Sequence, residues 1–151
     1  MLLCTLKREM LYPDNSIKGI PNNDFIVKAD GSVGSHFFHW KPEHARDDGW
    51  TEQSINWQDD ESVVEFTLSQ TKDNGELQFK AGVAIVPRSE IDRLSNLPSV
   101  QRLISYERQE YEWNPYHGNI LLSSKVPKQT MRKIAASLAL SVSAVIRRDE
   151  E

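Results

Sequence analysis

Val64-Glu65-Phe66-Thr67-Leu68, Lys72-Asp73-Asn74-Gly75 and Leu77-Gln78-Phe79-Lys80-Ala81-Gly82-Val83-Ala84-Ile85 form the stretch whose period decides the fold. Val64, Phe66 and Leu68 alternate with polar residues, and Leu77, Phe79, Ala81, Val83 and Ile85 take up the alternation after the turn. A period of two puts the apolar set on one face of a strand. Asn74-Gly75 supplies residues that tolerate positive φ, as a tight hairpin requires. The stretch therefore predicts an antiparallel hairpin. A preceding strand at Ser54 to Trp57, with Ile55 and Trp57 on one face, extends the sheet, and Asp59-Asp60-Glu61 fall at the connecting turn as solvated acids rather than as an acid–base pair or a cation site.

Beyond the hairpin, Pro87 closes the sheet pattern and Ser89 is placed to cap a short connecting helix that ends at Leu97-Pro98. Ile104 to Trp113 predicts an edge strand, with Tyr106, Arg108, Glu110 and Glu112 on one face and Glu107, Gln109, Tyr111 and Trp113 on the other. The first forty residues show only turns, at Pro13-Asp14-Asn15, Pro21-Asn22-Asn23 and Ala29-Asp30-Gly31-Ser32. At the other end, Met131, Ile134, Ala135, Leu138, Val142 and Val145 keep helical spacing after Pro127. The expectation is one α+β domain over residues 1–151. It has a mostly antiparallel sheet, a short connecting helix and a long C-terminal helix packed on the sheet.

Ile134-Ala135-Ala136-Ser137-Leu138-Ala139-Leu140-Ser141-Val142-Ser143-Ala144-Val145-Ile146-Arg147 resembles the Ile-Ala-x-x-Leu-Gly-x-Ser-x-x-x-Val-x-Arg core of bacterial helix-turn-helix proteins. In that family the helix after the turn enters the DNA major groove, and the resemblance implies base- or phosphate-facing roles for Ser141, Ser143 and Arg147. The turn glycine of the pattern is Ala139 here, which lacks the freedom for a left-handed turn. One uninterrupted helix from about Pro127 to Arg147 is the expected outcome, and nucleic acid is not the favoured partner.

The net charge is −4, with an uneven distribution. Glu43 to Glu76 carries ten acidic residues against Arg46 and Lys72, while Lys125, Lys128, Arg132, Lys133, Arg147 and Arg148 make the C-terminal segment basic. The two regions are expected to attract each other within the domain or to be solvated. A single cysteine, Cys4, fits a reducing compartment, and the opening Met1 to Arg8 is too short an apolar run for a secretory signal. A cytoplasmic protein with no membrane span is expected.

All four histidines lie in two aromatic-rich segments: His36, His39 and His44 beside Phe37, Phe38 and Trp40, and His117 within Trp113-Asn-Pro-Tyr-His-Gly-Asn119. If Ser35 to Trp40 is a strand, His36 and His39 point to opposite faces, so neither a metal nor any other cofactor is expected. In the second segment Asn114 precedes Pro115 and is pushed out of helical geometry, and Gly118 is free to take positive φ, which sets Tyr116 and His117 at the corner of a turn. Asn114-Pro115-Tyr116-His117-Gly118-Asn119-Ile120 resembles an Asn-Pro-x-His-x-x-Ile element of small uncharacterised bacterial proteins, with no activity attached to the resemblance. His117 is the candidate catalytic residue, as base or nucleophile, but no Gly-x-Ser-x-Gly elbow or Cys-His pattern supplies its partner. The expected function is that of a small bacterial cytosolic interaction or accessory protein. It binds a partner protein or a further copy of itself through Trp40, Trp50, Tyr116 and His117, with Trp40 and Trp50 alternatively in the core. The runner-up is a histidine-dependent enzyme acting on a nucleotide or nucleic acid, followed by a DNA-binding regulator.

Overall fold

The computed structural model describes residues 14–21 and 32–147. Cys4, the opening Met1 to Arg8, the turns at Asn22-Asn23 and Ala29-Asp30-Gly31, and Arg148 to Glu151 lie outside the described residues. Six strands form one antiparallel sheet in the order β4-β5-β2-β1-β3-β6. They are β1 (Asn15–Ile20), β2 (Trp50–Trp57), β3 (Gly82–Pro87), β4 (Ile104–Arg108), β5 (His117–Ser123) and β6 (Ala144–Arg147). Three α-helices accompany them: α1 (Ser62–Leu68), α2 (Arg88–Ser95) and α3 (Lys128–Ser141). The α+β architecture, with a short helix after β3 and the longest helix packed on the sheet, is as the patterning predicts. No helix among the described residues is long and apolar enough to cross a membrane.

The two faces of the sheet are covered unequally. On one face Ile20, Ile55, Ala84, Val86, Ile104, Ile120 and Leu122 pack against Ile91 and Leu94 of α2, Ile134, Ala135 and Leu138 of α3, and Phe37 and Phe38 of a 3₁₀ turn at Ser35–Phe38. On the other, Ile17 and Val83 meet Val63 and Leu68 of α1 in a small satellite core. Helix α1 covers the β1-β3 end of that face and reaches β2 at Asn56, and no helix among the described residues packs over β4 and β5 there.

Several local expectations are corrected. Val64 to Leu68 is helical, not a strand: Val63, Thr67 and Leu68 share a buried face at helical spacing, the Asp60 carboxylate accepts the Ser62 N–H at 2.8 Å, and Thr67 Oγ1 donates to the Val63 carbonyl. Over five residues the two periods cannot be separated. The Asn74-Gly75 turn is present, with Gly75 at φ +86° and a Thr71–Leu77 bridge, but it joins α1 to β3 and not two long strands. Ser35–Phe38 is a 3₁₀ turn, so both phenylalanines are buried while His36 is exposed. Helix α2 begins at Arg88 straight after Pro87 and carries no side-chain cap, so Ser89 does not cap it. Strand β4 ends at Arg108 and not at Trp113.

The C-terminal helix also stops early. Helix α3 ends at Ser141, the Ser143 N–H donates to the Ile85 carbonyl at 2.9 Å, and residues 144–147 pair with β3 through Val83 and Ile146. A β-rich tail, Ser143-Ala144-Val145-Ile146, thus satisfies the open edge of β3 instead of extending the helix. The positions that resemble a recognition helix therefore lie at a helix end and in an edge strand, so the helix-turn-helix geometry does not form. The turn-rich first forty residues hide the central strand β1, discussed below.

Among the described residues no ion pair joins Lys125, Lys128, Arg132 or Lys133 to the acidic stretch, and these cations are exposed. Burial, then the neighbouring His36, Arg132 and Lys128, hold the His39 imidazole below its ordinary value. Lys18 lies half-buried in β1 with its ammonium 4.6 Å from the Phe37 ring centroid, and burial together with Lys41 lowers its pKa from 10.5 to about 8.

Two predictions follow from this packing. Leu138 is fully buried and Leu140 is 89% exposed. Leu138→Ala is expected to cost about 3 kcal/mol of unfolding free energy in urea titration, against less than about 0.5 kcal/mol for Leu140→Ala; comparable costs would mean that α3 docks through a different stripe. For Lys18, the unfolded chain binds a proton between about pH 8 and 10.5 that the folded chain does not. The site's contribution to stability is therefore full above that interval and falls as pH drops through it. Lys18→Met should raise Tm at neutral pH and narrow its lead over wild type as pH rises from about 8; a variant less stable than wild type at neutral pH contradicts this account.

Candidate functional site

The uncovered half of the sheet is built from polar rows. Register sets Glu52, Leu121 and Ser105 side by side, then Ser54, Asn119 and Glu107, then Asn56 beside His117. These side chains alternate with Ile55, Ile120 and Ile104, which point into the main core, so the strand period alone delivers them to one surface. At one end Arg46 reaches across the sheet: Nη1 donates to Glu107 at 2.9 Å and Nη2 to Asp48 at 2.7 Å, with Glu52 at 3.6 Å. Against the cost of burial, Glu107 and then Asp48 hold the Arg46 guanidinium above its ordinary value.

At the other end the loop 109–116 folds back over the sheet around Asn114, which is 1% exposed. Its Oδ1 accepts the Tyr116 N–H at 3.0 Å, an Asx turn, and its Nδ2 donates to Asn56 Oδ1 at 2.9 Å. Asn56 in turn donates to Thr67 Oγ1 and Gln70 Oε1, tying the loop to α1. His117 is 9% exposed and anchored on both nitrogens, Nδ1 3.1 Å from the Gln109 carbonyl and Nε2 3.3 Å from Ser54 Oγ. A carbonyl only accepts, so Nδ1 carries a proton, and in the neutral imidazole Nε2 is left to accept from the Ser54 hydroxyl.

Above His117 stands an aromatic stack. Tyr111 and Trp113 lie face to face at 5.0 Å and 7°, Tyr111 tilts over the imidazole at 4.9 Å, and Trp113 is 66% exposed. Trp113 forms one wall of a cavity of about 100 Å³ whose lining includes Ser54, Asn56, Gln78, Phe79 and His117. A wider, open groove of about 660 Å³ continues past Trp113 along Phe66, Gln70, Lys72 and Gln78. The cleft is neutral and rich in amides, suited to hydrogen bonding under an aromatic lid.

The predicted site residues separate. Trp40 is 7% exposed and donates its indole N–H to the Ile120 carbonyl from the opposite side of the sheet; it is a core residue and no surface anchor. Trp50 shares the open face with His117 but is half-buried and six residues along β2 from the Asn56–His117 pair, roughly 20 Å away. Tyr116 is half-buried, packing edge-on against Phe66 at 5.0 Å. Only His117 belongs to the cleft. Gly118 does not take positive φ: it lies in β5, where a Cβ would strike the Trp57 ring. His36 and His39 lie beside α3, across the sheet from His117, and no group of three or more His, Cys, Asp or Glu among the described residues could hold a metal. The exposed pair Tyr111 and Trp113 was not among the predicted site residues. The sequence pattern places them on one face of an edge strand, whereas they stack in the loop after β4.

Compared with protein-family models, curated proteins and solved structures, the chain matches none.

The amide network yields a prediction. Asn114→Ala removes the buried donor to Asn56 and the part-buried acceptor for the Tyr116 N–H, at an expected cost of about 2 kcal/mol. Chemical denaturation measures the loss, and quenching of tryptophan fluorescence by acrylamide should show Trp113 more accessible. An unchanged midpoint would mean the loop is held by its aromatics alone.

Proposed function

We propose that this protein is a small interaction or accessory protein that binds a partner protein through the cleft beneath Trp113. The observation that carries the reading is Trp113 itself, a large ring two-thirds exposed, backed by Tyr111 and fixed over a hydrogen-bonded cleft. Tryptophan and tyrosine are the residues most enriched among interface anchors, and a ring already held in place loses little freedom on binding. The cavities suit the same choice: the one at His117, about 100 Å³, is the scale of one inserted side chain, and the open groove of about 660 Å³ beside it has room for a chain segment.

The contact between His117 and Ser54 favours a second reading, a histidine-dependent enzyme. Ser54 at 3.3 Å supplies the hydroxyl partner that the sequence lacked, and the Gln109 carbonyl orients the base. Asn56 is not available as the oxyanion donor of such chemistry, because both its Nδ2 protons are already given to Thr67 and Gln70.

Quantitative co-purification from the native cell separates the readings. A partner retained by wild type and Leu140→Ala should be lost at least about tenfold by Trp113→Ala, the cost of removing an interface anchor. Capture that ignores Trp113→Ala sinks the docking reading. A fully assembled complex that loses turnover about a hundredfold on His117→Ala instead establishes the enzyme.

A further inference from the structure

The open sheet face that holds the cleft is rimmed by carboxylates. Asp48, Glu52 and Glu107 converge on Arg46 at one end. Glu110 and Glu112 flank Tyr111 at the other, both exposed. Arg108 is shared between a bidentate pair with Asp59 at 2.7 and 2.6 Å and Glu110 at 3.3 Å, and no ion pair among the described residues reaches Glu112. Acceptors also outnumber donors within the rows. Asn119 gives its Nδ2 protons to Glu107 and Gln109, and its buried Oδ1 has no hydrogen-bond partner among the described residues.

We propose that this face docks a basic, arginine-bearing surface of the partner protein, with one cationic side chain set against Trp113 at the mouth of the cleft. The inference rests on the docking reading above and adds the chemistry of the partner. Arg46 shows how these carboxylates receive a guanidinium, in two short bonds to separate acids. Trp113 is the strongest side-chain acceptor for a cation–π contact and stands next to the exposed Glu112 at the edge of the groove, whose lining carries one charge of each sign, Lys72 and Asp73. The groove is wide enough for a chain segment, and the cavity beside it for a single side chain. An acidic partner would meet like charge along this face. The exposed cations of α3 lie across the sheet and do not counter the rim.

The test uses labelled oligoarginine, oligolysine and oligoglutamate peptides with the full chain, read by fluorescence anisotropy at low and at physiological salt. Oligoarginine is expected to bind more tightly than oligolysine, because the planar guanidinium stacks on indole, and oligoglutamate is expected not to bind. Trp113→Ala and the double variant Glu110→Gln, Glu112→Gln should each weaken oligoarginine by about tenfold, the second with a shallower salt dependence, while Leu140→Ala changes nothing. All four positions are exposed, and an unchanged circular dichroism spectrum confirms that each variant is folded. Equal binding of oligoarginine by wild type and all variants, or preferential binding of oligoglutamate, overturns the proposal. If partner capture depends on Trp113 while oligoarginine fails to distinguish the variants, the charge inference falls and the docking reading stands. If Trp113 is dispensable for capture, the docking reading falls by its own test.

Discussion

The fold depends on a clamp at the start of β1. This strand is the sole hydrogen-bonded link, among the described residues, between the β4-β5-β2 and β3-β6 halves of the sheet. It pairs with β3 over six positions but with β2 over only two. Arg88, at the end of β3, makes good the short pairing. Its guanidinium donates to the Asn15 carbonyl at 2.7 Å and to Ser16 Oγ at 3.0 Å, and it lies 4.4 Å from the Trp57 ring of β2. Burial lowers the Arg88 pKa, but its hydrogen bonds and the Trp57 face offset the cost of taking the charge out of water. One side chain, directly after β3 in the chain, thus ties β1 to β2. The amide-lined cleft sits on the β1-β2 junction that this clamp secures, since Ile17, Gly19 and Asn56 all line it.

The same strand explains what the sequence concealed. Asn15-Ser16-Ile17-Lys18-Gly19-Ile20 is sandwiched on both faces, so its apolar residues do not alternate, and Lys18 and Gly19 stand where a buried strand ordinarily carries branched side chains. Lys18 is tolerated because its ammonium rests on Phe37. Gly19 is required because Phe79 lies against its bare backbone, where a Cβ would meet the ring. Strand β2 and the buried stripe of α3 were legible because long-range packing agrees there with local period; β3 was legible only in part, since it begins at Gly82 and not at Leu77 and is buried on both faces. Val64–Leu68 and Ala144–Arg147 were not, since in each the deciding interaction, the Asp60 cap or the free edge of β3, comes from outside the segment.

The site was legible in part for a related reason. The sequence marks a special turn at Trp113–Asn119, and the geometry gives Asn114 the turn-forming role that Asn before Pro implies. What the sequence cannot show is which aromatic faces water. Trp40 and Trp113 have the same local chemistry, yet one indole is drawn under the sheet by a carbonyl of β5 and the other is held out by Tyr111. Asn56, Asn114 and Asn119 cost desolvation and add little apolar burial, but their directional bonds fix the loop in one position, which a greasy floor would not do.

The sheet also divides the charge of the molecule. The exposed cations of α3 project from one side and the carboxylates around Arg46 gather on the other, with the apolar core between. Together these groups contribute a dipole component normal to the sheet. A body with such a component is rotated on approaching a charged macromolecule before it touches, so fewer collisions arrive wrong side first. The one-sided placement of helices, which leaves half the sheet bare, therefore sets the direction in which the protein presents itself as well as the surface it presents.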